Sequence, residues 1–291
     1  MKKYNFVKKF LIVGVVATVF ASCQKEDSLG ESRLDTNEEF RTELDQWLFD
    51  EFTAENKFNI NVSYKWDPTK ADNSRWLYPA DPIKVKPAMN VVRKIWIDSY
   101  NELGGESFVR NISPKEIHLI GSPNMNKEGT QTLGLADQGN RIVLFIINSL
   151  NITNASQVKN FVHTIQHEYI HILNQKNQYN IEKYAAITRS GYNSNWQNYN
   201  DIESREEGFI SAYSRSNADE DFAEMAAAML VDINAYNAII DNVKSAESKK
   251  ALKEKEAIIV DYFKRSFKID FYELCAITDR KTKEVIAGNF N

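Results

Sequence analysis

The sequence has few cysteines and no excess of positive charge. Two cysteines cannot supply the set of disulfides that stabilises many small secreted domains, so stability must come from packing. The 36 basic residues against 40 acidic ones give a net charge of −4, so no nucleic-acid partner is expected. With 43% apolar residues, the chain of 291 residues can build a sizeable hydrophobic core.

The N-terminus has the pattern of a secretion signal. Four lysines within the first nine residues precede an apolar run over residues 10–21, which is too short to span a bilayer. Ala21 and Ser22 then precede Cys23, and this end resembles the lipobox of bacterial lipoproteins. The resemblance implies a signal peptide over residues 1–22 and lipid attachment to Cys23.

The sequence after Cys23 resembles an export signal. QKEDS is similar to the lysine- and acid-rich tag that directs lipoproteins of the Bacteroidetes to the outer face of the outer membrane, although a charged linker has the same composition. We expect a lipid-anchored tether over 23–37 and one domain over 38–291, exposed on the cell surface. Lipidation of Cys23 would leave Cys275 as the only free thiol, so no disulfide is expected in the mature chain.

Apolar periodicity predicts a mixture of helices and strands. The elements, in chain order, are a helix over 40–52, a strand over 60–66, a helix over 88–103, strands over 116–121 and 141–148, and helices through residue 267 followed by a short mixed tail. The strand over 141–148, RIVLFIIN, is apolar throughout, which is typical of burial on both faces.

Three of the four histidines lie within FVHTIQHEYIHILNQ, residues 161–175. From Ser156, a possible N-cap, to the end of this segment there is no proline or glycine, and an apolar stripe predicts a helix. Residues four apart share a helix face, about 6 Å apart at Cβ, which lets His167 and His171 bind one metal ion. With Glu168 the segment reads H-E-x-x-H, in which two imidazoles hold Zn²⁺ and the glutamate accepts a proton from a metal-bound water.

A buried helix with hydrogen-bonded histidines is the alternative to this zinc site. Burying three imidazoles and a carboxylate is costly unless something pairs with them, which favours the metal. His163 lies one turn before His167 and is displaced from His171 by roughly 80° and about 12 Å, so it cannot reach the same ion. We expect His163 to support the site or to pack beside it.

A third zinc ligand must come from elsewhere in the chain, because a catalytic zinc usually has three protein ligands and a water. The metzincin extension is excluded, since Asn174 and Asn177 occupy the positions that require glycine and histidine. His118 lies on a predicted strand, where a histidine is more often part of the core.

The segment from Asp219 is predicted to be a helix on which Glu220 and Glu224 share one face. Four alanines in the same segment would let this helix lie close to another one, near enough for an acid to reach a metal. We predict Glu220 as the third ligand and Glu224 as the acceptor that orients a ligand histidine. Alternatively, Asn217 and Glu220 form an N-terminal cap, and the acids complement the helix dipole.

These motifs resemble a known family. HTIQHEYIHILNQ and GFISAYSRSNADEDFAE, with YKWD at 64–67 and IGS at 120–122, are similar to the substrate import-associated zinc metallohydrolase lipoproteins of the Bacteroidetes, a family of gluzincin-like metallopeptidases. The resemblance covers nearly the whole chain. The segment from Glu220 to Glu224 is also similar to the E-x-F-A-E of anthrax lethal factor-type gluzincins, whose first glutamate binds zinc.

The resemblance implies an α+β, zincin-like fold in which a small mixed sheet packs on the HExxH helix and a mainly helical part follows. It implies zinc-dependent hydrolysis of peptides or proteins, with outer-membrane nutrient-uptake proteins as further partners. Tyr213, seven residues before Glu220, is implied to donate a hydrogen bond to the oxyanion, with packing as the alternative role. Zincins lay the substrate along an edge strand, for which RIVLFIIN is the candidate.

A surface-binding module for peptide or glycan, with a structural or vestigial zinc site, is the competing hypothesis. The aromatic and polar stretch over 179–200 would then line a cleft, although the same stretch reads as a partly exposed helix and loop. A structural zinc usually has four protein ligands that include cysteine, and Cys275 alone is available, which counts against that version.

Overall fold

The computed structural model describes residues 42–70, 72, 74–137 and 140–290. The predicted signal peptide, the tether, Cys23 and the first residues of the predicted 38–291 domain lie outside this range. In the part of the chain that is described, no helix combines the length and apolarity needed to cross a membrane.

In the described part of the chain, six short strands form a sheet and a separate hairpin. In chain order they are β1 (Asn61–Ser63), β2 (Glu116–Leu119), β3 (Asn124–Met125), β4 (Gln131–Thr132), β5 (Gly134–Asp137) and β6 (Arg141–Leu144). The sheet has the order β1-β2-β6-β5, in which β5 is antiparallel to β6 and the other pairs are parallel. β1 is shorter than the strand expected over 60–66, and Trp66 lies beyond it, 44% exposed.

The edge of the sheet beside β6 is β5, and not the strand expected there. RIVLFIIN was expected at the edge, but β6 pairs with β2 on one side and β5 on the other. An apolar run on both faces is the pattern of such an internal strand. Only its first four residues are strand, and the chain turns at Ile146, which has a φ of 65°.

Helices make up most of the rest. In chain order they are α1 (Glu43–Leu48), α2 (Pro82–Val91), α3 (Asp98–Gly104), α4 (Phe108–Asn111), α5 (Ala155–Lys176), α6 (Ile181–Ala185), α7 (Asp201–Arg205), α8 (Ala218–Val231), α9 (Ile233–Asn242), α10 (Ala246–Phe267) and α11 (Phe271–Ile286). A π-helical segment over Val92–Ile97 joins α2 to α3. α2 begins before the expected Ala88, because Asp81 caps it and proline is tolerated in the first turn. The expected mixed tail is helix α11, capped by Asp270.

Helix α5 links the sheet to the helical part. Asn154, rather than Ser156, is its N-cap and accepts a hydrogen bond from the N–H of the third helical residue. It contacts β5 and β6 as well as α8. Tyr169 of α5 packs against Trp96 and Tyr100, with ring centroids 4.8 and 4.9 Å apart. The predicted α+β fold, with a small mixed sheet on the histidine helix and a mainly helical C-terminal part, is therefore confirmed.

Candidate metal centre

Two helices bring the three predicted ligands together. His167 and His171 lie on adjacent turns of α5, and Glu220 lies in the first turn of α8. His167 Nε2 is 2.9 Å from Glu220 Oε2 and 3.1 Å from His171 Nε2. His171 Nε2 is 3.3 Å from the same Glu220 oxygen. Among the described residues, these three form the group that could hold a metal ion.

The spacing of these donor atoms fits zinc. Zinc bonds of about 2.0–2.2 Å at tetrahedral angles place neighbouring ligand atoms about 3.3 Å apart. The observed separations of 2.9, 3.1 and 3.3 Å need only a slight expansion to meet that value. A cation at the centre would be shared by all three donors, whereas a proton can lie between only two of them.

Glu224, one turn after Glu220, faces the other ring nitrogen of His167. His167 Nδ1 is 3.0 Å from Glu224 Oε1, which favours the tautomer whose Nε2 lone pair faces the metal position. Ser211 Oγ donates a hydrogen bond of 2.7 Å to Glu224 Oε2 and so holds the carboxylate. His163 Nε2 is 3.7 Å from Glu224 Oε1, so His163 stands beside the supporting carboxylate rather than among the donor atoms.

The charges of the group depend on one another. Burial disfavours a charge on His167, but the carboxylates of Glu220 and Glu224 outweigh it and raise the pKa of His167 to about 10. Burial likewise disfavours a charge on Glu220, yet its hydrogen bonds from His167 and His171 hold its pKa well below the usual value. Against the same effect of burial, His163 and His167 lower the pKa of Glu224 to about 2. The carboxylates therefore stay ionised and favour a cation between them.

Glu168 lies buried at the wall of the same cleft. Burial raises the pKa of its carboxyl above the usual value, although His167 acts in the opposite direction. The backbone of Ala136 on β5 lies close to the carboxylate and also acts to lower its pKa. Gly134 permits this close approach, because a Cβ there would lie 2.6 Å from the Thr164 methyl and 2.9 Å from a Glu168 carboxylate oxygen.

Tyr213 lies in a 3₁₀ turn, Tyr213–Arg215, shortly before α8. Its ring centroid is 6.0 Å from that of His167 and 4.9 Å from that of Trp196. Burial, reinforced by the charge of Glu220, raises the pKa of Tyr213 well above its usual value. Its hydroxyl therefore keeps its proton and can donate it in a hydrogen bond.

The local sequence explains how Glu220 reaches the histidines. Asn217 caps α8 by accepting hydrogen bonds from the N–H groups of Asp219 and Glu220, so the cap expected as an alternative is present. The Glu220 side chain nevertheless faces α5, because the backbone makes the cap and leaves the carboxylate free. Buried alanines at 223, 226 and 227 let α8 pack closely on α5.

Two adjoining cavities, of about 770 and 310 Å³, open on this group. Gly134, His167, Glu168 and Tyr213 line both. The contribution of β5 to this cleft was missed by sequence reasoning. The signal that could have revealed it is the glycine within a short strand, which marks a close approach of another chain segment.

The remaining histidine and cysteine lie away from the donor group. His118 is buried on β2, where its Nδ1 is 2.7 Å from Ser63 Oγ, and burial lowers its pKa. Cys275 is a free, buried thiol on α11, and burial raises its pKa well above the usual value. The packing role expected of His118 agrees with these contacts.

A helix that supplies two imidazoles and a carboxylate, facing a glutamate from a second helix, defines a zinc site of the metallopeptidase class. Residues 37–272 match the family model described as "Putative zinc-binding metallo-peptidase", and the chain belongs to this family. A crystal structure with the same description, from Bacteroides caccae ATCC 43185, is 27% identical to the chain with a TM-score of 0.67. The similarity covers 83% of this chain and 92% of that one. No match among curated proteins was found.

The family confirms the metal that the sequence predicts. Its description is zinc-binding, and the His167, His171 and Glu220 group has the donor set and spacing that zinc requires. The solved relative has the same overall fold, which supports the zincin-like architecture. Zinc is therefore the cofactor of this chain.

Proposed function

We propose that this chain is a zinc-dependent peptidase that hydrolyses amide bonds in peptides or proteins. The observation that carries the proposal is Glu168, a buried carboxylate in the cleft beside the donor group but outside it. A zinc with a purely structural role has no use for such a carboxylate. A zinc that acts on a water molecule needs a base at this position.

The residues around the zinc divide the chemistry among them. Zinc held by the three donors would supply a Lewis acid that acidifies a water molecule and polarises the substrate carbonyl. Glu168 takes the proton of that water and gives it to the leaving amine, and its raised pKa suits this exchange near neutral pH. Tyr213 donates its hydroxyl proton in a hydrogen bond to the developing oxyanion. Glu224 holds His167 by its Nδ1 and fixes the ring orientation.

The open edge of β5 is the proposed binding site for the substrate backbone. The Leu133 carbonyl accepts a hydrogen bond from the Phe145 N–H on the β6 side, whereas the Ala136 N–H points to Glu168 in the cleft. Because backbone groups alternate in direction along a strand, Gly134 and Ala136 present their N–H and C=O groups to the cleft. An extended peptide that adds to this edge runs past Glu168.

Substitution of Glu168 by glutamine tests the proposal. Glu168→Gln keeps the size of the side chain but removes the base, so peptide cleavage by the zinc-loaded protein should fall by about 10²–10⁴-fold. Zinc content and melting temperature should stay close to those of the parent. Glu254 on α10 is exposed and is distant in sequence from the residues of the cleft, so it provides a matched control. The Glu254→Gln variant should cleave peptides as the parent does.

One outcome would overturn the role of Glu168, and another would overturn the peptidase itself. Equal cleavage by Glu168→Gln and the parent would remove Glu168 from the mechanism. Absence of cleavage of a broad peptide library by the zinc-loaded parent, with peptide or glycan binding unaffected by a chelator, would favour the non-catalytic binding module instead.

We also propose that the protein is an outer-membrane lipoprotein on the cell surface that works beside nutrient-uptake proteins. The support is the sequence before and after Cys23 and its resemblance to surface lipoproteins of the Bacteroidetes. Growth with a clickable palmitate analogue should label the parent and the Cys275→Ser variant but not Cys23→Ser. Label on Cys23→Ser would contradict lipid attachment there, and resistance to protease added to intact cells would contradict surface exposure.

A further inference from the structure

A third cavity continues the cleft beyond Thr164. It has a volume of about 340 Å³ and lies where the segment from β4 to β5 meets the N-terminal half of α5. Gln131, Leu133 and Thr164 line both this cavity and the one that contains His167 and Glu168. The third cavity therefore adjoins the cleft that contains the zinc donors.

The walls of this third cavity carry no charged side chain, and half of the residues that line it are apolar. The apolar side chains of this space, the apolar cavity, are Leu133, Phe145, Ile146, Leu150 and Phe161. Two polar groups at its wall already have partners: Thr164 Oγ1 donates to the Asn160 carbonyl at 3.0 Å, and Gln157 Oε1 accepts from the Asn151 N–H at 2.8 Å. A charged side chain would meet no counter-charge there, whereas an apolar one would bury its surface.

The backbone at one wall of the apolar cavity is strained. Ile146 has φ 65° and ψ 21°, a left-handed conformation that is costly for a β-branched residue. The Ile146 N–H donates to the Ser122 carbonyl at 2.9 Å, which holds the chain in this conformation. Strain of this kind concentrates at binding and catalytic sites, so it is an independent sign that this wall serves a ligand.

The distance from the apolar cavity to the reacting centre matches a short stretch of peptide. Phe161 precedes Glu168 by two helical turns, which is about 10 Å along α5. An extended peptide advances about 3.3 Å per residue. A substrate on the open edge of β5 would therefore place a side chain about three residues from the cleaved bond next to the apolar cavity.

We propose that the apolar cavity is a specificity subsite that takes an apolar side chain of the size of leucine, methionine or phenylalanine, about three residues from the cleaved bond. This inference rests on the proposed peptidase function. The occupant is a substrate side chain because the apolar cavity adjoins the zinc cleft, and because Leu133 at its wall lies directly before the open strand edge that an extended peptide would follow.

The first experiment measures selectivity. Peptides with leucine, alanine or glutamate at the third position on either side of the cleaved bond are compared by kcat/KM. Leucine should be favoured over alanine at least about tenfold on one side, with glutamate disfavoured further, and that side gives the direction of the bound peptide. Equal values for leucine and alanine on both sides would overturn the subsite and leave the peptidase standing.

A charge placed in the apolar cavity should remove the preference. Leu133→Lys should bring the ratio of kcat/KM for leucine over alanine close to one. Met125, an exposed apolar residue on β3 that lines none of the cavities described here, provides the matched control, and Met125→Lys should keep the ratio. A general loss of folding lowers both rates equally, so the ratio still reports on the cavity. An unchanged ratio in Leu133→Lys would contradict the proposal.

The second experiment does not depend on cleavage. The zinc-loaded Glu168→Gln variant is titrated with the same fluorescent peptides, and anisotropy gives their dissociation constants. A lower dissociation constant for the leucine peptide than for the alanine peptide supports the subsite even if the parent cleaves nothing. That combination of results would overturn only the peptidase proposal. Equal dissociation constants for the leucine and alanine peptides, together with equal kcat/KM values, would overturn the subsite.

Discussion

Neighbouring residues of α8 carry their carboxylates into two very different environments. Glu220 faces the histidines of α5 across the cleft. Asp221 lies fully buried on the other side of α8 and meets Lys255 Nζ at 2.6 Å. Lys255 also donates to the Gly208 carbonyl at 2.8 Å, and the Tyr192 hydroxyl donates to Asp221 Oδ2 at 2.9 Å. Asp221 has a lysine of its own chain as its partner, whereas the nearest basic groups to Glu220 are the imidazoles of His167 and His171.

This difference separates a structural pair from a site that needs an ion. Burial raises the pKa of Asp221 to about 6 even with Lys255 beside it, so the pair is stable only while both partners remain. The Glu220 side chain is 22% exposed and opens to the cleft, where an ion can enter from solution. The predictions below separate these two roles.

The largest effect is expected from breaking the structural pair. Lys255→Met would leave Asp221 buried without a cation, so the free energy of unfolding should fall by about 3–5 kcal/mol in urea titrations. Lys250, 78% exposed on the same helix, is the control, and Lys250→Met should change stability by less than about 0.5 kcal/mol. Recovery of most of the loss in Asp221→Leu/Lys255→Met would show that the unpaired charge was the cause. A loss below about 1 kcal/mol in Lys255→Met would contradict the structural role.

Zinc should stabilise the parent but not a protein without the third ligand. Free zinc at 100 times its dissociation constant adds about 2.7 kcal/mol to the free energy of unfolding. The melting temperature of the parent should therefore rise with zinc and fall with a chelator, whereas Glu220→Gln should hardly respond at the same zinc concentration. Lys255→Met should keep its response to zinc if enough of it folds. A full zinc response in Glu220→Gln would exclude Glu220 as a ligand.

A smaller effect is expected from the carboxylate behind His167. Glu224→Gln keeps a hydrogen-bond acceptor but removes the charge, so zinc affinity should fall by about 10–100-fold, as measured by competition with a fluorescent chelator. Glu254→Gln is the control and should bind zinc as the parent does. An affinity unchanged in Glu224→Gln would mean that the contact with His167 Nδ1 does not contribute to metal binding.

The last prediction concerns the dependence of zinc affinity on pH, which is the smallest effect when it is taken per pH unit. The pKa of His167 is raised to about 10 in the metal-free protein, so the ring carries two protons near neutral pH. Zinc needs the Nε2 lone pair, so binding should release about one proton, and affinity should rise about tenfold per pH unit between pH 6 and 8. Calorimetry in two buffers of different ionisation enthalpy measures the proton release. Affinity independent of pH would contradict the charged state of His167.

The sequence predicts the parts of the site that depend on helical geometry. His167 and His171 are one helical turn apart, and Glu168 lies three residues before His171, so their proximity follows from the chain alone. Glu220 could be predicted because it lies on a helix whose alanines allow close packing against another helix, although the same pattern also fitted a helix cap. The contribution of β5 to the cleft could not be predicted from the sequence, because a strand of four residues that includes a glycine gives no clear strand signal. The prediction that the apolar run of β6 forms the edge of the sheet was wrong, because β5 pairs with it on the outer side.

The sequence by itself determined the chemistry available to this protein: two imidazoles and a carboxylate on one helix face, and an acidic helix able to approach them. That information is local, because helical periodicity sets which side chains are neighbours. Only the tertiary structure decided which acid of α8 meets the histidines and which meets Lys255, and which strand borders the cleft. Those choices depend on contacts between residues far apart in the chain, which no local pattern specifies.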